Sequence, residues 1–354
     1  MTDLLVDRGD LQQTRLVESP AAVLEAGQAR LRVEAFGLSA NNVTYAVVGD
    51  LLGYWAFFPA EDGWGRVPVW GFASVVESRE PSLEVGRRVF GYLPMSTELV
   101  VDAGRVDERG FTDVAAHRAP MASAYNRYRT VSSEPGSDDE DRWMLLQPLF
   151  FTAWLADDFL ADQGDFGAGV IVISSASSKT ASGIAHLAAR RGVRLVGLTS
   201  PTNVAFTAGL GVYDLVLGYD DLGGLPDGPA VYVDVSGSTS IRAAVHERYG
   251  EGLVHDMVIG ATHRDDRAPG SHLPGARPTF FFAPAQIDKR TQDWGGAELE
   301  ARIAASWTTY APWAAQWIDF RHSSGLEAAG AIYRELLDNR ADPTVGHVVT
   351  LSTP

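Results

Sequence analysis

Val170-Ile171-Val172-Ile173-Ser174-Ser175-Ala176-Ser177-Ser178-Lys179-Thr180-Ala181-Ser182-Gly183 is the stretch from which the fold of this chain can be read. Four consecutive branched apolar residues describe a strand buried on both faces, the habit of parallel sheets. Small and hydroxyl-bearing residues follow at once, and Ile184-Ala185-His186-Leu187-Ala188-Ala189 continues as the first turns of a helix. A strand, a tight turn and a helix in that order aim backbone N–H groups at one point, which suits phosphate. Arg194-Leu195-Val196-Gly197-Leu198 lies at the right distance to be the next strand, and it ends in Thr199-Ser200. A dinucleotide site that prefers NAD usually places a carboxylate there to hold the ribose 2′-hydroxyl. Hydroxyls stand there instead, with Lys179 nearby, so the segment predicts a nicotinamide coenzyme and NADP(H) in preference to NAD(H).

Four further apolar runs, at 214–217, 230–235, 253–260 and 279–283, alternate with helical stretches. Six short strands separated by helices predict a doubly wound parallel sheet, an α/β fold. The first third reads differently. Ala29-Arg30-Leu31-Arg32-Val33-Glu34-Ala35-Phe36 alternates with a period of two, and runs at 67–77, 86–92 and 98–101 extend the series, so a compact β-rich unit is expected. Apolar and aromatic residues at helical spacing over 116–131 predict a helix, the acidic, Pro/Gly/Ser-rich stretch 132–141 an exposed loop, and 145–162 a second helix. After the sheet, helices are expected over 296–310 and 325–339 and strands over 317–320 and 346–351.

With 354 residues the chain exceeds what one core usually holds, so two domains are expected. The formal charge of −16 repels nucleic-acid backbones and anionic lipid, and no apolar run reaches the ~20 residues that span a bilayer. The partner expected is a small-molecule substrate, with no nucleic acid and no membrane. The start, Met1-Thr2-Asp3-Leu4, has no basic or apolar leader pattern, which makes the cytoplasm the expected location. Cysteine is absent, so disulfides, thiol nucleophiles and Cys-built zinc lobes are excluded.

Spaced segments resemble the medium-chain dehydrogenase/reductase superfamily, and most of all its zinc-independent branch of quinone and enoyl reductases. Val33-Glu34-Ala35-Phe36-Gly37-Leu38-Ser39-Ala40-Asn41-Asn42-Val43-Thr44-Tyr45 is similar to the branch's strand ending in GxxxxDxxxxxG, with Tyr45 where an Asp or Tyr often stands. Pro68-Val69-Trp70-Gly71-Phe72-Ala73-Ser74-Val75-Val76 resembles its PxxxGxxxxGxV element without the later glycine. Val85-Gly86-Arg87-Arg88-Val89-Phe90-Gly91 is close to VGDRVFG, and Pro148-Leu149-Phe150-Phe151-Thr152-Ala153-Trp154 resembles the LTAY helix. The resemblance covers nearly the whole chain. It implies a GroES-like β-rich catalytic domain (1–122 and 312–354) and a Rossmann-type nucleotide-binding domain (123–311), with NADP(H) between them, no metal, and pairing into a homodimer. The reaction it implies is hydride transfer to an activated C=C or C=O, of quinone or enone type. An enoyl-thioester reductase on the same fold, or a coenzyme-binding relative without turnover, are the other readings. Two departures stand out: the branch's glycine-rich AAxGGVG turn is replaced by serines and threonine, and Asn203 occupies the place of a basic residue common in NADP-using relatives.

Each candidate residue has a plain alternative. Ser174, Ser175, Ser177, Ser178 and Thr180 either grip a diphosphate or merely connect strand to helix. Ser178-Lys179-Thr180 echoes the GK[ST] of nucleotide hydrolases, but both required glycines are missing. Lys179 either binds a ribose or phosphate oxygen or faces solvent, and Thr199 and Ser200 either hold a 2′-phosphate or cap the next helix. Tyr45 with Asn42 either orients a carbonyl and supplies a proton or packs the β unit. Tyr54, Trp55, Phe57 and Phe58 either wall a substrate pocket or fill a core. Thr152, Ser236, Gly260, Phe281 and Phe282 complete the expected coenzyme contacts, the last two on the strand that pairs across subunits in related dimers. His263 is a conceivable proton relay. A metal cluster of His255, His263 and His272 with Asp265 and Asp266 matches no ligand spacing and is rejected.

Overall fold

The computed structural model describes residues 1–132, 137–259, 273–338 and 342–351. Its first strands are β1 (Thr2–Asp7), β2 (Thr14–Glu18) and β3 (Gln28–Leu38). Helices α1 (Ala40–Val47) and α2 (Gly49–Leu52) follow, then β4 (Trp64–Gly65), β5 (Pro68–Ser78), β6 (Arg88–Pro94), β7 (Glu98–Asp107), β8 (Gly110–Asp113) and β9 (Arg127–Thr130). Helix α3 (Asp138–Asp162) leads to β10 (Val170–Ile173), α4 (Lys179–Ala188), β11 (Arg194–Thr199), α5 (Val204–Gly209), β12 (Leu215–Gly218), β13 (Ala230–Asp234), α6 (Thr239–Tyr249), β14 (Leu253–Val258) and β15 (Pro278–Phe280). The chain ends with α7 (Ala283–Trp294), α8 (Gly296–Ala314), β16 (Asp319–Ser324), α9 (Gly325–Leu337) and β17 (Val345–Thr350).

Two compact units result: Met1–Pro148 with Ile318–Pro354, and Leu149–Trp317. In the first, strands run in the order β16-β17-β3-β5-β6-β9-β8-β7, and β7 also pairs with β3. That antiparallel ladder, Gln28↔Asp102 to Arg32↔Glu98, closes β3, β5, β6, β9, β8 and β7 into a ring and removes their free edges. Irregular register at Arg30/Leu31 and Val33/Ala35 bends β3. Its first half thereby pairs with β7 and its second half with β17. Leu31, Val33, Val69, Val75, Val89, Val101 and Phe111 fill the interior, and α9 adds Leu326, Ala329 and Tyr333.

Three expectations fail in this unit. No helix forms over 116–131: short 3-10 turns at Ala116–Arg118 and Ser123–Tyr125 lead into β9. Pro120 bars a continuous helix, and Tyr128 is drawn between β6 and β8, stacking on Phe111 and donating its hydroxyl to Tyr92 O at 2.7 Å. The ring lies where a Cβ on Gly91 would come within 2.5 Å of it, so residue 91 must be glycine. The acidic stretch is not all loop, since 138–141 starts α3. The carboxylates of Asp139, Glu140 and Asp141 suit a helix N-terminus, and buried Glu140 accepts from Arg88, which also donates to Glu34. Finally, the 123–148 segment, expected with the nucleotide domain, falls in the first unit because β9 belongs to the ring.

The second unit is a six-stranded sheet in the order β12-β11-β10-β13-β14-β15, every ladder parallel. The chain runs outward from β10 through β11 and β12, then returns to β13 on the other side and proceeds to β14 and β15. This is the doubly wound topology expected from the sequence. Val170, Val172, Val196, Leu198, Tyr232 and Val245 share one of its cores. The last strand is shorter than expected. It ends at Phe280 because Pro284 in the first turn of α7 starts a helix, so Phe281 and Phe282 lie beyond it.

Candidate functional site

In a doubly wound sheet the crevice opens at the carboxyl ends of the two strands between which the winding reverses. Here those are β10 and β13, followed by the turn 174–178 and the loop 235–238. Ser174 joins them. Its hydroxyl donates to Asp234 Oδ1 at 3.0 Å and accepts from the N–H groups of Val235 and Ser236, both at 3.0 Å. One donor and two acceptor sites are thereby used, and Ser174 is fully buried, so the phosphate role expected of its hydroxyl is corrected to a structural one.

The rest of the turn divides in the same way. Ser178 caps α4, accepting from Ala181 N at 3.2 Å, and the N–H of Ser178 returns to Ser175 O. Ser175 adopts φ +47°, donates its N–H to the Tyr219 hydroxyl at 2.9 Å, and is the left-handed residue of the turn. Ala176 N donates to Leu198 O, and its Cβ sits against Gly197, where an added Cβ would lie 2.9 Å away. Ser177 is different. Its oxygen accepts from Thr199 Oγ1 (3.2 Å) and Asn203 Nδ2 (3.3 Å), which leaves its own proton to give. The N–H groups of Ser177 and Thr180 donate to nothing among the described residues. Lys179 is the first residue of α4 and half-buried.

Thr199 is buried and spends its hydroxyl on Ser177, so it does not face a 2′-phosphate as expected. Ser200 is half-buried, with its hydroxyl 3.1 Å from that of Thr202. Ser236 donates to Asp234 Oδ1 at 2.9 Å and accepts from Ser238 N. Thr152 is half-buried within α3. Phe281 is buried and its N–H donates to Val258 O, whereas Phe282 is 56% exposed. Gly260, and likewise His263, Asp265, Asp266 and His272, lie outside the described residues. Among those described, no group of three or more His, Asp or Glu side chains is arranged to hold a metal ion.

The sequence reading missed a charged array behind the crevice. Asp234, fully buried, accepts from Ser174, Tyr232, Ser236, Gly237 N and Arg242. Arg242 also faces Asp256, and Asp256 Oδ2 lies 2.9 Å from His246 Nε2. The other ring nitrogen of His246 is 2.8 Å from Pro274 O. Both nitrogens of a buried imidazole thus face acceptors, and only the doubly protonated ring satisfies both. Burial opposes that charge, but the bonds to Asp256 and Pro274 O outweigh it and raise the His246 pKa above its ordinary 6.5. The array was foreshadowed by one signal, a carboxylate closing the apolar run Ala230-Val231-Tyr232-Val233-Asp234.

The sign of the shift sets a pH dependence. A raised folded-state pKa contributes stability that is complete below pH 6.5 and is lost as pH rises through the folded value. Burial lowers the pKa of His186 and His255, so both are neutral above 6.5 and add no slope there. The thermal midpoint is therefore expected to fall as pH rises from about 6.5, and His246→Gln is expected to flatten that limb. An unchanged slope in the variant would falsify the assignment.

In the first unit, Asn42 is committed to structure. Its Oδ1 accepts from Ser39 N at 2.8 Å in a capping box, and its Nδ2 donates to Pro68 O at 2.9 Å. The catalytic role expected of Asn42 is corrected accordingly. Tyr45 lies on α1 within an aromatic cluster of Tyr54, Phe57, Phe58, Tyr92 and Trp70. Trp70 Nε1 donates to its hydroxyl at 3.4 Å, and burial pushes its pKa well above the usual phenol value.

A family profile described as Protein of unknown function (DUF2855) matches residues 36–342. The chain belongs to that family. No curated protein sequence matches this DUF2855 chain. Among solved structures it is similar to CurA from Vibrio vulnificus, described in complex with NADPH, at 14% identity over 100% of both chains and TM-score 0.64. It is similar also to the CurK enoyl reductase (15% identity, 99% of each chain, TM-score 0.61). The quinone oxidoreductase of Thermus thermophilus, described with its NADPH complex, is 18% identical over 99% of this chain and 100% of that one, at TM-score 0.55. These likenesses show that the DUF2855 chain has the fold of GroES-like and Rossmann-type reductases. No helix among the described residues is long and apolar enough to cross a membrane.

Proposed function

We propose that this DUF2855 protein is an NADP(H)-dependent, zinc-independent oxidoreductase of the medium-chain reductase type, acting on an activated C=C or C=O of quinone or enone kind. The observation that carries this reading is the turn 174–178 at the reversal point of the parallel sheet, with the Ser177 hydroxyl proton and the Ser177 and Thr180 N–H groups uncommitted among the described residues. Three donors at the start of a ten-residue helix fit an anionic diphosphate. Lys179 and Ser200 complete the reading at the 2′-phosphate, since hydroxyl residues and not a carboxylate close β11. NADPH in the described complexes of CurA and of the Thermus thermophilus quinone oxidoreductase supports the same assignment.

The nicotinamide supplies hydride chemistry when bound. The protein's part is to hold the diphosphate at the turn and to supply a proton, for which Tyr45 is our candidate because its hydroxyl stands on α1 within the aromatic cluster and is a donor at neutral pH. Pairing of two copies through the edge strand β15, where Phe280 and, just past its end, Phe282 are about half exposed, belongs to the same reading, as does a cytoplasmic location.

Titration with NADPH and NADH tests it. NADPH is expected to bind more tightly, Lys179→Ala and Ser200→Ala each to weaken NADPH about fivefold, the effect of one hydrogen bond or ion pair, and NADH to be unaffected. Oxidation of NADPH by a panel of quinones and enones, absent with saturated alcohols, is the expected activity. Equal affinity for both coenzymes, unmoved by either substitution, would overturn the NADP assignment. Binding without oxidation by any acceptor would leave a coenzyme-binding protein without turnover.

A further inference from the structure

Glycine is the usual residue of a diphosphate turn because the backbone there takes conformations a side chain resists. In this chain the residue after buried Ser174 is Ser175, held at φ +47°. A non-glycine residue in that region is strained and persists only where its surroundings fix it. Two tyrosines do so. The Tyr219 hydroxyl accepts the Ser175 N–H at 2.9 Å, and Tyr219 is itself placed by its N–H bond to Thr199 O at the end of β11. The Tyr213 hydroxyl donates to Ala176 O at 3.0 Å, and the Tyr213 ring lies across Gly197, where a Cβ would approach it to 3.1 Å. The peptide units on either side of the Ser175–Ala176 bond are thus fastened by two side chains from either end of β12.

We propose that Tyr219, seconded by Tyr213, is a positioning residue for the diphosphate turn: its phenol oxygen keeps Ser175 left-handed, and the turn so held presents Ser177 and Thr180 to the ligand. The role of the presented groups rests on the coenzyme reading given above. The holding of the turn does not. A glycine-rich turn reaches its shape through backbone freedom, whereas this one is fixed by side-chain hydrogen bonds before any ligand arrives, which lowers the ordering cost of binding.

Tyr219→Phe removes one oxygen and keeps the ring, so it separates the hydrogen bond from packing. Amide hydrogen exchange in the full-length protein without ligand is expected to quicken at Ser175 at least about fivefold, and the NADPH dissociation constant to rise by a similar factor. Ser175→Gly in the Tyr219→Phe background is expected to restore NADPH affinity to within about twofold of the parent, since glycine adopts the left-handed backbone without help. Exchange and affinity both unchanged in Tyr219→Phe overturn the proposal, and so does a loss of affinity that glycine at 175 does not restore. If the parent binds no nicotinamide dinucleotide while exchange at Ser175 quickens as expected, the positioning role stands and the coenzyme reading falls.

Discussion

Ser177→Asp is expected to raise the dissociation constant for NADPH at least about a hundredfold while leaving the fold as stable as before. The turn gathers its uncommitted donors at Ser177 and Thr180, beside the N-terminus of α4. A carboxylate there removes the hydroxyl proton and sets a negative charge against the diphosphate. Like charges about 4 Å apart repel by about 4 kcal/mol at the effective dielectric of a protein surface. Each 1.4 kcal/mol is about tenfold in affinity, so even half of that repulsion, with the lost hydrogen bond, suffices. The same carboxylate at a helix N-terminus stabilises the helix by about 0.3–1 kcal/mol. Calorimetric titration alongside urea unfolding reads the two effects apart. An aspartate variant that binds NADPH within threefold of the parent rules out diphosphate at this turn.

Asp234→Ala acts on stability first. It leaves the Tyr232 and Ser236 hydroxyls, the Gly237 N–H and the Arg242 guanidinium without their acceptor, all at or near the sheet interior. Removing one partner of a buried charge pair costs about 3–5 kcal/mol. A matching drop is expected in the urea-unfolding free energy of the second unit. Coenzyme affinity is expected to fall as well, because Ser174 loses the carboxylate that fastens the turn to the loop after β13. Arg248→Ala, which breaks an ion pair with the nearly fully exposed Asp227 and a hydrogen bond to Leu225 O, is the control and is expected to change stability by less than about 2 kcal/mol. A loss at Asp234 no larger than at Arg248 shows that the array does not hold the crevice.

The architecture was legible where local pattern and global placement agree. Val170-Ile171-Val172-Ile173 is apolar throughout because both faces of a central parallel strand are covered, and the structure has it so. Alternation likewise places Ala29, Leu31 and Val33 inward on β3, until the irregular register at Val33/Ala35 shifts the phase and turns Phe36 inside. The reading failed where tertiary contacts outweigh spacing. The 116–131 segment has helical periodicity, yet Pro120 and the slot for Tyr128 between β6 and β8 make it turn and strand. Acidic residues 138–141 read as solvated, yet Glu140 and Asp141 are buried because Arg88 and His322 face them from strands distant in the chain.

The hydroxyl-rich turn shows the division most plainly. That four serines stand between a buried strand and a helix, with no carboxylate after the next strand, is a property of the sequence alone, and it marks the place where an anion is to be sought. Which hydroxyl is spent on the protein and which is left for a ligand depends on partners 20 to 60 residues away: Thr199 and Asn203 for Ser177, Asp234 for Ser174, Tyr219 for the Ser175 backbone. Hydrogen bonds of that kind have directions and distances that only the folded chain supplies. Periodicity and residue type therefore sufficed for the sheet and its order of elements, while the buried Asp234, Arg242, Asp256 and His246 array took its meaning from three-dimensional proximity.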